Sequence, residues 1–153
     1  MKRPTVSLKA RAIKYLSSRE HSRLELARKL SAYAQEDDDI EALLNWLEQA
    51  NLLSSERFSE SLVNRRAARF GNRRILSELQ SHGLDADQFD TLRADLVAGE
   101  STRAAEVLRK KYGAPPDGAE ERARYSRFLL QRGFSGKAIA EAIKMLHLDQ
   151  TDE

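Results

Sequence analysis

A chain of 153 residues that is 41% hydrophobic is long enough for one ordinary domain or several small packed subdomains, and its lack of cysteine excludes disulfides, thiolate metal ligands and a cysteine nucleophile. No apolar run approaches the roughly 20 residues that cross a bilayer, and the opening MKRPTVSLKA lacks the apolar centre of a signal peptide, so a cytoplasmic protein without a membrane partner is expected. Net charge is only +2, but it alternates in blocks: +7 over residues 1–30, −7 over 36–60, +5 over 61–77, −5 over 78–100 and +5 over 101–137. Such blocks either remain solvated helix faces or are gathered by folding into one basic and one acidic surface.

Three prolines, seven glycines and an abundance of Ala, Leu, Arg and Glu point to an all-α protein. Start and stop signals divide it into about nine helices. The first runs from Leu8 to Ser17, with Leu8, Ala12 and Leu16 on one face. Ser22 and Glu25 form a capping box for the second, whose buried stripe is Leu26, Leu30 and Tyr33. Asp37–Asp39 open the third, where Ile40, Leu43, Leu44 and Leu47 give the strongest amphipathic pattern in the chain. The fourth starts after Ser54 or Ser55, carries Phe58 and Leu62, and ends at Gly71 through a left-handed cap. Asn72 caps the fifth, which buries Ile75 and Leu79 and stops at Gly83. Asp85 caps the sixth and Ser101 the seventh, which ends at Gly113. After the APPDG loop, Asp117 and Glu120 open the eighth, which ends at Gly133; Ser135 opens the ninth, followed by a frayed tail at 149–153.

The pattern repeats. ILSELQSHGLDADQF (75–89) superposes on YSRFLLQRGFSGKAI (125–139) at an offset of 50, pairing Gly83 with Gly133 and Asp85 with Ser135. NWLEQANLLSSERF (45–58) is a looser copy with Asn51 in place of glycine. Three tandem three-helix repeats follow, at 1–53, 54–98 and 99–148, stacked in an elongated, curved array because each is too small for a sizeable core.

No catalytic constellation can be assembled. His21, His82 and His147 stand apart without metal-ligand spacing, and His82 and His147 read as residues of helix C-termini. DADQFD fails as a calcium loop, because Phe89 occupies a ligand position and no glycine follows. Phosphate loops and nucleophile elbows are missing, so neither an enzyme nor a cofactor or metal is expected. Trp46, Phe58, Phe70, Phe89, Tyr112, Tyr125, Phe128 and Phe134 mostly occupy inward helical positions, which gives no exposed platform for stacking single-stranded bases.

Basic clusters remain, the densest being NRRAARFGNRR (64–74). Arg65 and Arg69 lie four apart on one helix, while Arg73 and Arg74 occupy the first turn of the next, where the dipole disfavours cations by roughly 0.3–1 kcal/mol. A phosphate or carboxylate docked there would reverse the penalty, meeting free N–H groups and guanidinium forks together. Lys110 with Lys111, and Arg124 with Arg127, extend the candidate anion-contacting set. Clusters without base-reading signatures suit the phosphate backbone better than sequence readout.

The motifs, taken in order, resemble the RecX family of bacterial regulatory proteins that act on RecA recombinase. REHSRLELARKL (19–30), WLEQANLLSSERFSES (46–61), RRILSEL (73–79), KKYG (110–113) and RFLLQRGFSGKAI (127–139) carry the likeness, from about residue 10 to 145. Two places depart from that family's pattern: Ala68 and Arg69 stand where a basic residue and glycine often precede the aromatic-glycine turn, and Asn51 replaces a glycine. The resemblance implies a non-enzymatic monomer that binds the RecA filament on single-stranded DNA. It also implies inhibition of filament extension, ATPase, strand exchange and co-protease activity, and so modulation of recombinational repair and the SOS response. Two other readings stay open: a stand-alone, sequence-independent DNA-binding module that also takes free DNA, and a purely protein-binding helical scaffold.

Overall fold

The structure, a computed structural model, describes residues 6–151. Lys2 and Arg3 of the first basic block, and Asp152 and Glu153 of the expected tail, lie outside the described residues. All regular structure among the described residues is helical: α1 (Leu8–Ser18), α2 (Arg23–Ser31), α3 (Ile40–Gln49), α4 (Ser55–Arg66), α5 (Asn72–Ser81), a 3-10 turn at Ala86–Gln88, α6 (Asp90–Tyr112), α7 (Gly118–Gln131) and α8 (Gly136–Thr151).

Local signals account for most of the boundaries. Ser22, Asp39 and Ser135 each accept a hydrogen bond from the backbone N–H three residues on, which satisfies an otherwise orphan donor of the first helical turn. Asn51, Gly83, Gly113 and Gly133 have φ of 59, 74, 78 and 90°, the left-handed conformation that lets the chain leave a helix. Gly83 and Gly133, paired by the offset of 50, thus share the left-handed conformation, and Asn51 adopts it without being glycine. At Ser22 the capping box is replaced by an ion pair: the Glu25 carboxylate takes Arg19 in a two-pronged contact of 3.0 and 2.6 Å.

Four boundaries differ from the sequence-based expectation. The break before Ser101 does not form, because Leu92, Leu96, Glu100, Ala104 and Leu108 make one buried stripe at four-residue spacing that carries α6 straight through Gly99. Ser101 turns its hydroxyl to Glu141 instead of capping. Asp85 caps the short 3-10 turn, with Gln88 completing a capping box, and α6 begins only at Asp90. Residues Asp149–Thr151, expected to fray, continue α8. Finally, α4 stops at Arg66, and Gly71 does not adopt a left-handed φ.

Contacts group the chain into two compact units: residues up to Ser61 with His82–Leu84, and Leu62–Ser81 with Asp85 onward. The first has a core of Leu8, Ala12, Leu26, Leu30, Leu44, Leu47 and Leu53. Tyr33 and Trp46, expected to point inward, are 49% and 40% exposed, and cations from α1 cover them: Arg11 Cζ and Lys9 Nζ each lie 3.7 Å from the respective ring centroid. His82, directly after α5, also has partners: its Nδ1 lies 2.7 Å from Ser22 Oγ and its ring packs 4.7 Å from Phe58. In the second unit the core runs from Ala104 through Leu108, Tyr125, Leu129, Phe134, Ile139 and Ile143 to Leu146.

Candidate nucleic-acid interface

Between α4 and α5 the chain turns through Ala67–Phe70, and this turn rests on the one between α7 and α8. Gly71 N–H donates to the Arg132 carbonyl at 2.8 Å and Arg73 N–H to the Gly133 carbonyl at 3.1 Å. A Cβ built on Gly71 would stand 2.3 Å from the Gly133 carbonyl carbon and from Phe134 N. Gly71 is thus required for close backbone approach, where the sequence alone suggested a helix cap.

The helix N-terminus expected to receive an external anion is already occupied by the protein's own. Glu100, 8% exposed, accepts from Asn72 N–H at 2.8 Å with one carboxylate oxygen and from the Ser135 hydroxyl at 2.7 Å with the other. Asn72 consequently does not cap α5. Its side-chain amide donates to the Leu96 carbonyl, and its side-chain oxygen accepts from Arg103 at 2.6 Å. Burial lowers the pKa of Arg103, yet its guanidinium is kept by the nearby Glu100 charge and by the carbonyls of Ala67 and Leu96. Two residues of α6 therefore pin neighbouring helix starts: Arg103 and buried Glu100 hold that of α5, and Glu100 also holds that of α8.

With the Asn72 and Arg73 N–H groups engaged inside the protein, the guanidiniums make the groove. Arg66, Arg69, Phe70, Arg73, Arg74, Ser77, Ser81, Gln131 and Gly133 line a groove of about 870 Å³, with Glu78 as its acidic member. Arg66 holds Glu78 through two bonds of 2.9 and 3.0 Å. Arg69, Arg73 and Arg74 are exposed and have no ion pair with a carboxylate among the described residues. Arg74 Cζ instead lies 4.3 Å from the Phe70 centroid, with Arg132 at 5.5 Å and Arg69 at 5.8 Å. Arg132 also approaches Phe128 at 5.0 Å, and Lys111 approaches that ring at 5.5 Å. Contacts of this kind contribute about 0.5–1 kcal/mol each at exposed sites, enough to offset the few tenths lost to repulsion between neighbouring guanidiniums.

Of the sequence-derived candidates, the structure brings Arg69, Arg73 and Arg74 into one groove and joins Lys111 to it through Phe128 and Arg132. Arg65, Lys110, Arg124 and Arg127 are exposed but outside the lining. Arg124 and Arg127 share one face of α7 with Gln131, so they lie on the helical stripe that leads to the groove. Sequence reasoning missed Arg66, Phe70 and Arg132 as groove residues. Nothing local in the sequence ties Arg132 to Phe70, 62 positions earlier.

Fold and groove together define an all-α protein of small helical units that carries a polycationic, aromatic-backed groove. No helix among the described residues is long and apolar enough to cross a membrane. Residues 9–47 match the first three-helix domain of RecX and residues 100–143 the third. The chain is 66% identical over 152 residues to the regulatory protein RecX of Herbaspirillum seropedicae, covering 99% of both chains. It is 47% identical to that of Ralstonia nicotianae, over 99% of this chain and 96% of the other. The crystal structure of RecX from Lactobacillus salivarius aligns with a TM-score of 0.75 at 25% identity, covering 92% of this chain and 95% of that one. The chain belongs to the RecX family of regulatory proteins.

Proposed function

We propose that the protein is a cytoplasmic, non-enzymatic monomer that binds the RecA nucleoprotein filament and restrains its extension, ATP hydrolysis, strand exchange and co-protease activity. In this role it modulates recombinational repair and the SOS response. Family membership supports the regulatory part of this reading. The observation that carries the rest is the convergence of Arg69, Arg73 and Arg74 in a groove where the acidic lining residue, Glu78, is already bound by Arg66. Guanidiniums held on aromatic rings and lacking carboxylates are suited to a ligand rich in phosphate, such as the DNA strand within a filament.

Three three-helix units, at 1–53, 54–98 and 99–148, are the organisation proposed for this task, the last two sharing the continuous helix α6. Arg65, Lys110, Arg124 and Arg127 are assigned to the same anion-contacting surface along α4, α6 and α7. The test is RecA's DNA-dependent ATPase with increasing amounts of this protein. Inhibition that saturates is expected, and unchanged hydrolysis at saturating protein would exclude the proposal.

A further inference from the structure

A groove that only neutralised phosphates would need charge and reach, which Lys or Arg supplies on any exposed helix. This groove has more. Phe70 is half-buried in its lining, with Arg74 set against the ring at 4.3 Å and Arg69 and Arg132 near it. Phe128 repeats the arrangement with Arg132 and Lys111, so Arg132 lies against both rings. Such contact restrains a side chain that otherwise samples many rotamers. A planar cation backed by an aromatic ring is a stacking surface for another flat π-system, and its N–H edge still donates to an anion.

We propose that the Phe70–Arg74 layer takes an unpaired nucleobase, stacked on the guanidinium, while Arg69 and Arg73 hold the adjoining phosphates. Unpaired nucleotides are the ligand class because a duplex keeps its base faces stacked on one another and offers only phosphates to the groove. Ser77 and Gln131 on the groove wall add neutral hydrogen-bond partners that fit a base edge or sugar without demanding one sequence. This inference rests on the groove being a nucleic-acid site, and it assigns Phe70 and Arg74 a role that phosphate contact alone does not require.

The experiment compares binding of the full chain to a thymidine homopolymer, to an abasic strand of equal length with the same phosphates, and to a duplex, each across a salt series. The homopolymer is expected to bind roughly tenfold tighter than the abasic strand, with similar salt slopes for the two. Arg74→Lys keeps the charge and loses the plane, so it is expected to close that gap without changing the slope; Phe70→Leu, which keeps apolar bulk, is expected to do the same. Equal binding of the two single strands with a steep salt slope would overturn the stacking inference and leave the phosphate reading standing. A gap that persists in both variants would also overturn it, placing base contact elsewhere. Failure to bind any of the three would overturn both readings of the groove.

Discussion

In the first compact unit, Arg11 covers the Tyr33 ring, but three other arginines end on carboxylates. Arg19 holds Glu25, Arg23 holds Glu41 and Glu48, and Arg57 holds Glu20. In the α4–α5 groove, Arg69 and Arg74 end on an aromatic ring, and Arg66 takes the acidic residue. The contrast inverts the order suggested by charge counting. Residues 1–30 carry the largest formal excess, +7, yet two of their arginines, Arg19 and Arg23, are used inside the unit to tie helices together. Residues 61–77 carry +5 and leave much of it facing a groove. Available charge is therefore set by where the carboxylates fold to.

The contrast can be broken at its foundation with Gly71→Ala. A Cβ 2.3 Å from backbone atoms cannot be relieved by a side-chain rotation, so the α4–α5 turn must move; a loss of about 3 kcal/mol or more in urea unfolding is expected, together with loss of anion binding. Next in size is Arg73→Glu with Arg74→Glu. Binding to DNA-coated RecA filaments is expected to fall on the order of 100-fold, with the salt slope reduced by about two, measured by titration across a salt series. Glu100→Ala should cost about 1–3 kcal/mol in unfolding free energy, because the Asn72 N–H and Ser135 hydroxyl lose their acceptor inside the unit.

Smaller changes sharpen the comparison. Arg23→Ala, which removes a surface network, is expected to cost at most about 1 kcal/mol of stability and to leave the salt slope of filament binding unchanged. The smallest effect is on pH. Burial holds the His21 pKa below its usual 6.5, and Lys29 Nζ, 2.8 Å from Nε2, further opposes protonation. The unfolded chain then binds a proton at higher pH than the fold does. Stability from this site is complete above about 6.5 and declines as pH falls below it. Glu25, held to about 2 by its hydrogen bonds from Arg19, adds a second decline as pH falls from about 4.5 toward 2. Urea midpoints measured from pH 8 to pH 3 should show both, with His21→Asn flattening the upper one.

What could be read from sequence was what depends on neighbours within a few residues. Ser22, Asp39 and Ser135 act as caps, and Asn51, Gly83, Gly113 and Gly133 terminate helices, because their roles are local dihedral and hydrogen-bond preferences. The misread residues have distant partners. Gly71 answers to Gly133, Asn72 to Glu100 and Arg103, and Ser101 to Glu141. The same distinction runs through the site: an arginine cluster is visible as a string, whereas the rings that orient it and the carboxylate that fills the helix start are not. Trp46 and Tyr33 were misplaced for a related reason, since helical spacing does not foresee a cation from α1 covering an aromatic face.

The carboxylate of Glu100 has a practical consequence for anyone dissecting the molecule. Sequence repetition invites expression of residues 54–98 or 99–148 as separable modules. Yet Glu100 joins the beginning of α5 to the beginning of α8, and the Gly133 carbonyl receives the Arg73 amide. A cut at 98 would leave the donor of the earlier fragment and the acceptor of the later one both facing water. The smallest portion that keeps the arginine groove intact therefore extends through both of those stretches.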